Sequence, residues 1–241
     1  MFQENLVTRK KKKEGNEAKN QLSEFPEPCT LALEEDDYPL LKSKGLKPNV
    51  LSRLTIVISD NDFLIHYNKS EVAKKYDLLS IIPKNSQCLL SLLKSSFRFD
   101  ILAFKPEHVY EGMKWSRKLY NDCVEKYIHF ELLYVPAITD SENRRKIISL
   151  AQTYHATGKS KKIIISSGAS VPIELRSPVD VANLAFIFSL NENQGKDAVK
   201  KHCQDVYKSA LGRKVGVYRV VIEKAGKDSE SSGDSDEMDT D

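Results

Sequence analysis

The sequence predicts an α/β protein built on an incomplete barrel of about six mostly parallel strands. From Val50 onward, short apolar runs rich in β-branched residues alternate with helical patterns. One unit is complete: the run Ile163–Ile165 ends in small residues, and a Ser177-Pro178 helix start then opens into a second apolar run. A fully apolar run of this length is typical of a buried parallel strand. Small residues after such a strand let another backbone, a ligand or an RNA strand approach closely.

Each further element is justified by the same two patterns. Strand runs are short and apolar, and Pro83 and Pro136 end two of them. The predicted strands are 54–58, 77–82, 99–104, 129–135, 162–166 and 215–222. Helical stretches place their apolar residues on one side, as do Cys88, Leu89 and Leu92. The predicted helices are 70–76, 85–94, 115–126, 141–156, 178–190 and 194–210.

The chain divides into three parts by composition. Residues 1–48 hold the basic run Arg9–Lys13, an acidic run and several prolines, and are expected to be a disordered charge-rich segment. Residues 49–224 are expected to form the barrel-like domain, and residues 225–241 an acidic disordered tail. Because residues 1–48 show no strand pattern, the barrel is expected to lack its first strands and to expose an edge.

Charge is distributed unevenly along the 241 residues. Residues 228–241 contain seven acidic residues and no basic one, which leaves a net charge of about +10 on the rest of the chain. Such a balance suits an RNA partner better than an acidic small substrate, although charge alone is a weak signal. The basic run Arg9–Lys13 is either a nuclear-localisation patch, an RNA-contacting arm or a solvated tail.

Cysteines and hydropathy indicate a reduced, soluble, intracellular protein. The four cysteines are far apart and form no C-x-x-C pair, which argues against a zinc site or a disulfide framework. We find no apolar stretch near the roughly 20 residues of a membrane span.

Catalytic motifs are not found. The five histidines include no His-x-His pair and lack the nearby aspartate that a metal-dependent phosphoesterase would need at its first strand. Ser166-Ser167-Gly168 does not have the G-x-S-x-G frame of a nucleophile elbow. Residues 157–160 resemble the end of a P-loop without its upstream glycine, and we interpret them as a helix end with Gly158 in the left-handed conformation. We therefore predict no catalytic residue, no metal site and no cofactor.

Several segments, in order, resemble one family. They are Arg53-Leu54-Thr55-Ile56, Tyr76-Asp77, Phe99-Asp100, Phe130-Glu131-Leu132 with Tyr134 and Pro136-Ala137-Ile138, Asp140 with Arg144-Arg145, Ile164-Ile165-Ser166-Ser167-Gly168-Ala169, and Leu175-Arg176-Ser177-Pro178-Val179-Asp180-Val181-Ala182-Asn183-Leu184. This arrangement, over residues 50 to about 222, resembles the thirty-kilodalton protein subunit shared by ribonuclease P and ribonuclease MRP. No single motif is diagnostic, but their order and spacing together are specific.

The resemblance implies a TIM-barrel-like fold related to polymerase-and-histidinol-phosphatase (PHP) phosphoesterases. It also implies a non-catalytic subunit of a ribonucleoprotein whose RNA removes the 5′ leader of precursor tRNA, and a role in ribosomal RNA maturation in ribonuclease MRP. The implied partners are the catalytic RNA, other protein subunits, especially a small ferredoxin-like one, and precursor tRNA indirectly. The implied location is the nucleus and nucleolus.

RNA binding is predicted for cations near strand ends and helix starts. Arg176 precedes the Ser177-Pro178 helix start, where a guanidinium and free backbone N–H groups suit a phosphate. Its alternative is a salt bridge to Glu174, Asp180 or a neighbouring strand. For Arg144 and Arg145 the alternative is a solvated helix face. The full predicted set is Arg144, Arg145, Lys159, Lys161, Lys162, Arg176, Arg213 and Lys214.

Two other functions stay open at the level of sequence. One is a degenerate PHP-type metal-dependent phosphoesterase, and the other is an RNA-binding adaptor outside ribonuclease P. Ser231, with Asp234 three residues on, lies in the context that acidophilic kinases prefer, so it is a candidate phosphorylation site.

Overall fold

A computed structural model describes residues 2–8, 25–28, 39–45, 48–58, 63–106 and 113–216. Its centre is one parallel sheet whose six strands lie side by side in the order of the chain. The strands are β1 Phe2–Thr8, β2 Leu51–Ile58, β3 Leu78–Pro83, β4 Ile101–Leu102, β5 His129–Leu133 and β6 Ile163–Ser166. Because the strand order never reverses, successive crossovers continue in one direction, as in a barrel and not as in a doubly wound sheet. The predicted fold class is confirmed.

Most of the helices lie in the crossovers and cover one face of the sheet, while the last one packs against the other face. They are α1 Pro39–Lys42, α2 Phe63–Lys69, α3 Glu71–Lys75, α4 Ser86–Lys94, α5 Arg117–Glu125, α6 Tyr134–Thr139, α7 Ser141–Gly158, α8 Pro178–Leu184, α9 Glu192–Val199 and α10 Lys201–Val215. Short 3-10 turns lie at Pro172–Glu174 and Ala185–Phe188. The larger core lies under these helices and contains a stacked pair, Tyr120 and Phe130, with ring centroids 4.1 Å apart.

The prediction that residues 1–48 contain no strand is wrong. Strand β1 pairs with β2 in parallel over seven residues. Its sequence, FQENLVT, mixes polar and apolar residues, so no buried-strand pattern marks it, and backbone pairing with β2 defines it. Phe25 also packs on the core beside Tyr67, and the Tyr76 hydroxyl donates to the Pro26 carbonyl at 2.8 Å. The basic run Arg9–Lys13 lies outside the described residues.

The predicted last strand also differs from the structure. Val215 is the final residue of α10, and Gly216 ends the helix in a left-handed conformation at φ 79°. The helical stretch predicted at 194–210 is thus two helices that continue farther along the chain. Residues 217–222 of that strand and the tail 225–241 lie outside the described residues.

A charged network occupies the inner face of the sheet, opposite most of the helices. Arg53 on β2 forms a two-pronged ion pair with Glu131 on β5, with N–O distances of 2.5 and 2.6 Å. Both side chains are at most 6% exposed. Burial would raise the pKa of Glu131, but Arg53 and a hydrogen bond from Ser166 outweigh it and lower that pKa below its usual value. Glu131 is therefore held as a carboxylate.

The ion pair between Arg53 and Glu131 shows that the sheet is curved. Three strand spacings separate β2 from β5, which is about 14 Å in a flat sheet. Arg53 nevertheless contacts Glu131 directly, and on the way it donates to Ser80 on β3 at 3.0 Å. The sheet must therefore curl toward its inner face, as a partial barrel does.

Helix α10 packs at the rim where the strands begin, which we call the N-terminal rim. Arg213 forms an ion pair with Asp100, just before β4, at 2.9 Å, and Lys214 pairs with Asp77, just before β3, at 2.6 Å. At the other end of α10, His202 lies 2.7 Å from the Ile163 carbonyl at the start of β6. Val206 and Ala210 fill the space between these contacts. The helix thus braces three strands from the N-terminal rim.

Removing one member of the buried pair should be far more destabilising than removing both. We expect Glu131→Gln to lower the free energy of unfolding by about 3–5 kcal/mol, because Arg53 keeps its charge inside the barrel. The double variant Arg53→Met with Glu131→Leu should recover most of that loss. Urea unfolding monitored by circular dichroism measures both, with the exposed Glu125→Gln as the matched control. Equal losses for the single and double variants would contradict a charge-burial cause.

Candidate RNA-binding and protein-binding surfaces

The structure divides the predicted RNA-binding cations between the two rims of the barrel. Arg144, Arg145 and Arg176 follow β5 and β6, on the side where strands end, which we call the C-terminal rim. The other five predicted residues, Lys159, Lys161, Lys162, Arg213 and Lys214, lie at the N-terminal rim. Helix α7 runs from one rim to the other, so Arg145 and Lys159 are about 21 Å apart along its axis. The phosphates of an RNA strand lying along a single rim therefore cannot contact all eight predicted cations.

Arg144 and Arg145 differ in how they are held at the start of α7. Asp140 caps this helix by accepting from the Asn143 N–H at 2.8 Å. Arg144 donates to the carbonyls of Ala137 and Ile138 at 2.6 and 2.8 Å, which joins α7 to α6. Arg145 is exposed, and its side chain makes no hydrogen bond or ion pair within the described part of the chain. Arg144 is thus oriented by the fold, while Arg145 projects into solvent.

Arg176 is held by backbone carbonyls instead of by a carboxylate. Its guanidinium donates to the carbonyls of Ile173 and Leu175 at 2.8 and 3.0 Å, and it remains exposed. The two carboxylates considered as partners are occupied differently: Glu174 accepts from the Ser170 N–H, and Asp180 accepts from the Ser177 hydroxyl. The positive charge of Arg176 is therefore not neutralised by either one.

Two lysines that the sequence analysis missed lie on the same C-terminal rim. Lys84 directly follows β3, and Lys105 comes three residues after β4. Their side chains are half-buried. The sequence carried the signal, since each of the two lysines follows a predicted apolar strand within two residues. With Arg144, Arg145 and Arg176 they form a set of five, which we call the rim cations.

The lysines before β6 lie in a backbone of unusual conformation. Lys159, Ser160 and Lys162 all have left-handed φ values, between 53° and 60°. The interpretation of Gly158 as the left-handed residue is wrong: Gly158 lies inside α7 and Lys159 ends the helix. A Cβ on Gly158 would lie 2.0 Å from the Tyr120 ring, so close packing is what requires glycine there.

The five cations of the N-terminal rim differ in their exposure and in whether a carboxylate pairs with them. Lys159 and Lys161 are exposed. Lys162 lies 3.5 Å from Asp205 of α10 and over the Tyr127 ring. Arg213 is only 10% exposed and ion-paired with Asp100. Arg213 and Lys214 fall between the predicted helix 194–210 and the predicted strand 215–222, but in the structure both belong to the last turn of α10 and attach that helix to the sheet.

An exposed apolar surface adjoins the C-terminal rim. Ten large apolar side chains are exposed in the described part of the chain, and six of them fall within residues 171–187. Ile173 is 82% exposed, and Val179, Phe186 and Ile187, at helical spacings of seven and eight, share the outer side of α8 and its 3-10 extension. What we call the apolar surface is made of Val171, Ile173, Leu175, Val179, Phe186 and Ile187. Clusters of exposed apolar side chains are typical of protein-interaction sites.

Neither a metal-ligand cluster nor a membrane-spanning helix is found in the described part of the chain. Within the described residues, we find no group of three or more His, Cys, Asp or Glu side chains that could hold a metal ion. Over the same residues, none of the helices combines the length and hydropathy needed to cross a bilayer. Of the five histidines, His129 is fully buried, and its ring centroid lies 6.0 Å from that of His202. Candidate Ser231 lies outside the described residues.

These features define a class of protein: an incomplete parallel α/β barrel with an arginine-bearing rim beside an exposed apolar surface. The model of the ribonuclease P subunit p30 family matches residues 4–215. The chain belongs to that family.

Individual relatives agree with this assignment. The chain is 31% identical to the mouse ribonuclease P protein subunit p30 over 223 residues, which is 90% of this chain and 81% of the mouse protein. It is 30% identical to a probable ribonuclease P protein subunit 3 of Schizosaccharomyces pombe, over 77% of this chain and 74% of that one. Among solved structures, a chain of an archaeal ribonuclease P with mature tRNA, determined by cryo-electron microscopy, matches with a TM-score of 0.55 and 16% identity. The match covers 95% of this chain and all of that one. This last similarity shows the fold.

Buried His129 should make stability fall in mild acid. Burial lowers the pKa of His129 to about 3, aided by the charges of Lys162 and His202 and opposed by Asp205. The unfolded chain binds this proton near pH 6.5, so stability is lost as pH falls below that value. At pH 5 the loss amounts to about 2 kcal/mol.

The measurement is urea unfolding at pH 7.5 and pH 5 for the wild type, His129→Gln and the exposed His155→Gln. We expect His129→Gln to have a smaller difference between the two pH values, by about 2 kcal/mol. His155→Gln should keep the wild-type difference. If all three proteins lose the same stability in acid, His129 is not the group responsible.

Proposed function

We propose that this chain is a non-catalytic protein subunit of ribonuclease P and of ribonuclease MRP. In ribonuclease P it would support the RNA that removes the 5′ leader of precursor tRNA, and in ribonuclease MRP the processing of ribosomal RNA. Membership of the p30 family supports the first role, and the resemblance described above supports the second. The proposed location is the nucleus and nucleolus, where these RNAs are processed.

The observation that carries this proposal is the exposed charge of the rim cations. Arg145 and Arg176 present guanidinium groups that no described carboxylate neutralises. Guanidinium groups bind phosphate oxygens strongly and in two-pronged geometry. Contacts of this type fix the position of an RNA without reading its sequence. The catalytic RNA is therefore the proposed ligand of the C-terminal rim.

The apolar surface supports a protein partner beside the RNA. Its side chains lie on both sides of Arg176 in the chain, so one partner could contact both the protein and the bound RNA. We assign this surface to another protein subunit of ribonuclease P, specifically the small ferredoxin-like one. Precursor tRNA would be contacted only indirectly, through the assembled particle.

Affinity purification of the tagged chain from its own cells tests the proposal directly. The RNA recovered would be sequenced, and the eluate assayed for cleavage of precursor tRNA. We expect ribonuclease P RNA, ribonuclease MRP RNA and leader-removing activity that is destroyed by digesting the RNA. Leader cleavage by the purified chain alone, without RNA, would show that the subunit is itself catalytic.

Two double variants that remove the same charge test which of the two rims binds the RNA. We expect Arg145→Gln with Arg176→Gln to weaken binding of the ribonuclease P RNA on the order of tenfold. The slope of log affinity against log salt should also become shallower by about 1.5. Lys159→Gln with Lys161→Gln, at the N-terminal rim, should have a smaller effect on both. Filter binding at several salt concentrations measures these quantities, and a larger effect of the lysine pair would place the RNA on the opposite rim.

The apolar surface has its own matched test. Ile173→Ser with Phe186→Ser should weaken binding of the ferredoxin-like subunit at least tenfold, since both side chains lose apolar contact area. Leu90→Ser, at an exposed apolar residue of α4 on another part of the protein, serves as the control and should bind normally. Isothermal titration calorimetry measures both affinities. Normal binding by the double variant would place the subunit elsewhere.

A further inference from the structure

We propose that Ser177 is a phosphorylation site for a proline-directed protein kinase, and that its phosphate weakens docking at the apolar surface. The first half stands on the local structure alone. The second half rests on the proposed function, because it takes the apolar surface to be the site of a protein subunit.

The sequence around Ser177 is specific for this class of kinase. Of the nine prolines in the chain, only Pro178 is directly preceded by a serine or threonine. Proline after the acceptor residue lacks a backbone N–H and restricts the preceding residue to extended conformations. A kinase that requires proline at that position selects its substrates by those two properties.

The backbone of Ser177 already has the conformation that such an enzyme would bind. Its φ and ψ are −63° and 152°, which is extended. Residues 171–180 are all exposed except for the half-buried Glu174, so a continuous stretch on both sides of Ser177 is accessible. Recognition of an extended segment needs this kind of exposure on both sides of the reacting residue. The Ser177 hydroxyl also caps α8 by accepting from the Asp180 N–H at 3.2 Å, so the first turn of α8 must open for the kinase to bind Pro178.

Phosphorylation of Ser177 would form one bond to phosphorus and break one. The Ser177 Oγ would form an ester bond to the γ-phosphorus of a nucleoside triphosphate, and the bond from that phosphorus to the leaving nucleoside diphosphate would break. The hydroxyl proton would pass to the base of the kinase. In the unmodified chain this hydroxyl donates to the Asp180 carboxylate at 2.8 Å, so phosphorylation removes that donor.

The new phosphate would then be repelled by one neighbour and attracted by another. It would bring a charge of about −1.5 to −2 next to the Asp180 carboxylate, which disfavours the present arrangement. Arg176, one residue earlier, donates to the carbonyls of Ile173 and Leu175, and the phosphate would compete for those N–H groups. The loop that carries Ile173 and Leu175 would thus lose the two hydrogen bonds that the Arg176 guanidinium donates to their carbonyls.

Both changes affect the apolar surface directly. Ser177 lies in the chain between Leu175 and Val179, which are 46% and 69% exposed. A partner that covers these side chains would have to desolvate the phosphate as well, and burial of an unpaired charge is costly. Phosphorylation should therefore oppose docking of the ferredoxin-like subunit.

The first experiment asks whether the site is modified. The full-length chain would be incubated with a purified proline-directed kinase, magnesium and ATP, and the position of phosphate determined by mass spectrometry. We expect phosphate on Ser177, its loss in Ser177→Ala and Pro178→Ala, and no change in Ser170→Ala. Ser170 is an exposed serine of the same loop and is followed by valine. An unmodified Ser177, or equal modification in Pro178→Ala, would overturn the assignment.

The second experiment asks what the phosphate does. Calorimetry would compare the phosphorylated chain, the unmodified chain and kinase-treated Ser177→Ala for binding to the ferredoxin-like subunit. We expect at least tenfold weaker binding by the phosphorylated chain only. Equal affinities of the two wild-type forms would overturn the regulatory half while leaving the proposed function intact. If the unmodified chain does not bind that subunit, the assignment of the apolar surface in the proposed function is itself wrong.

Discussion

The ion pair between Arg53 and Glu131 is the constraint on which the rest of the structure depends. It joins two strands that a flat sheet would hold about 14 Å apart. A charged pair sealed inside a protein is stable only while both members and their hydrogen bonds are in place. The sheet is therefore held in a curled form, and the curl decides which loops come together at each rim.

Helix α10 covers the N-terminal rim of the curled sheet. It approaches from the N-terminal rim and is attached through Asp77, Asp100 and the start of β6. Arg213 and Lys214 form ion pairs with these aspartates, so they hold α10 against the sheet and Arg213 is not free to bind a ligand. On the opposite rim Arg144 and Arg176 donate to backbone carbonyls, and both stay exposed to solvent together with Arg145.

The two surfaces of the C-terminal rim follow from one loop. After β6, residues 167–177 turn back over the rim, and the Tyr134 hydroxyl fixes the loop by accepting from the Arg176 N–H at 3.0 Å. This places a guanidinium and a series of exposed apolar side chains side by side. In the proposed function, an RNA phosphate and a protein subunit bind here without competing for the same atoms. Ser177 lies between the two, directly after Arg176 and two residues before Val179.

The sequence by itself determined the α/β class, five of the six strands and most of the helices, because a buried parallel strand needs an uninterrupted apolar run. It also determined the family, through ordered motifs such as the one around Arg176. Only the tertiary structure decided that Phe2–Thr8 is a strand, since that pairing is made by the backbone and leaves no apolar pattern. It also gave Arg213 to an internal ion pair with Asp100. In a parallel sheet the position of a cation before or after a strand already tells its rim, but whether a carboxylate from a distant element neutralises that cation depends on how the chain folds.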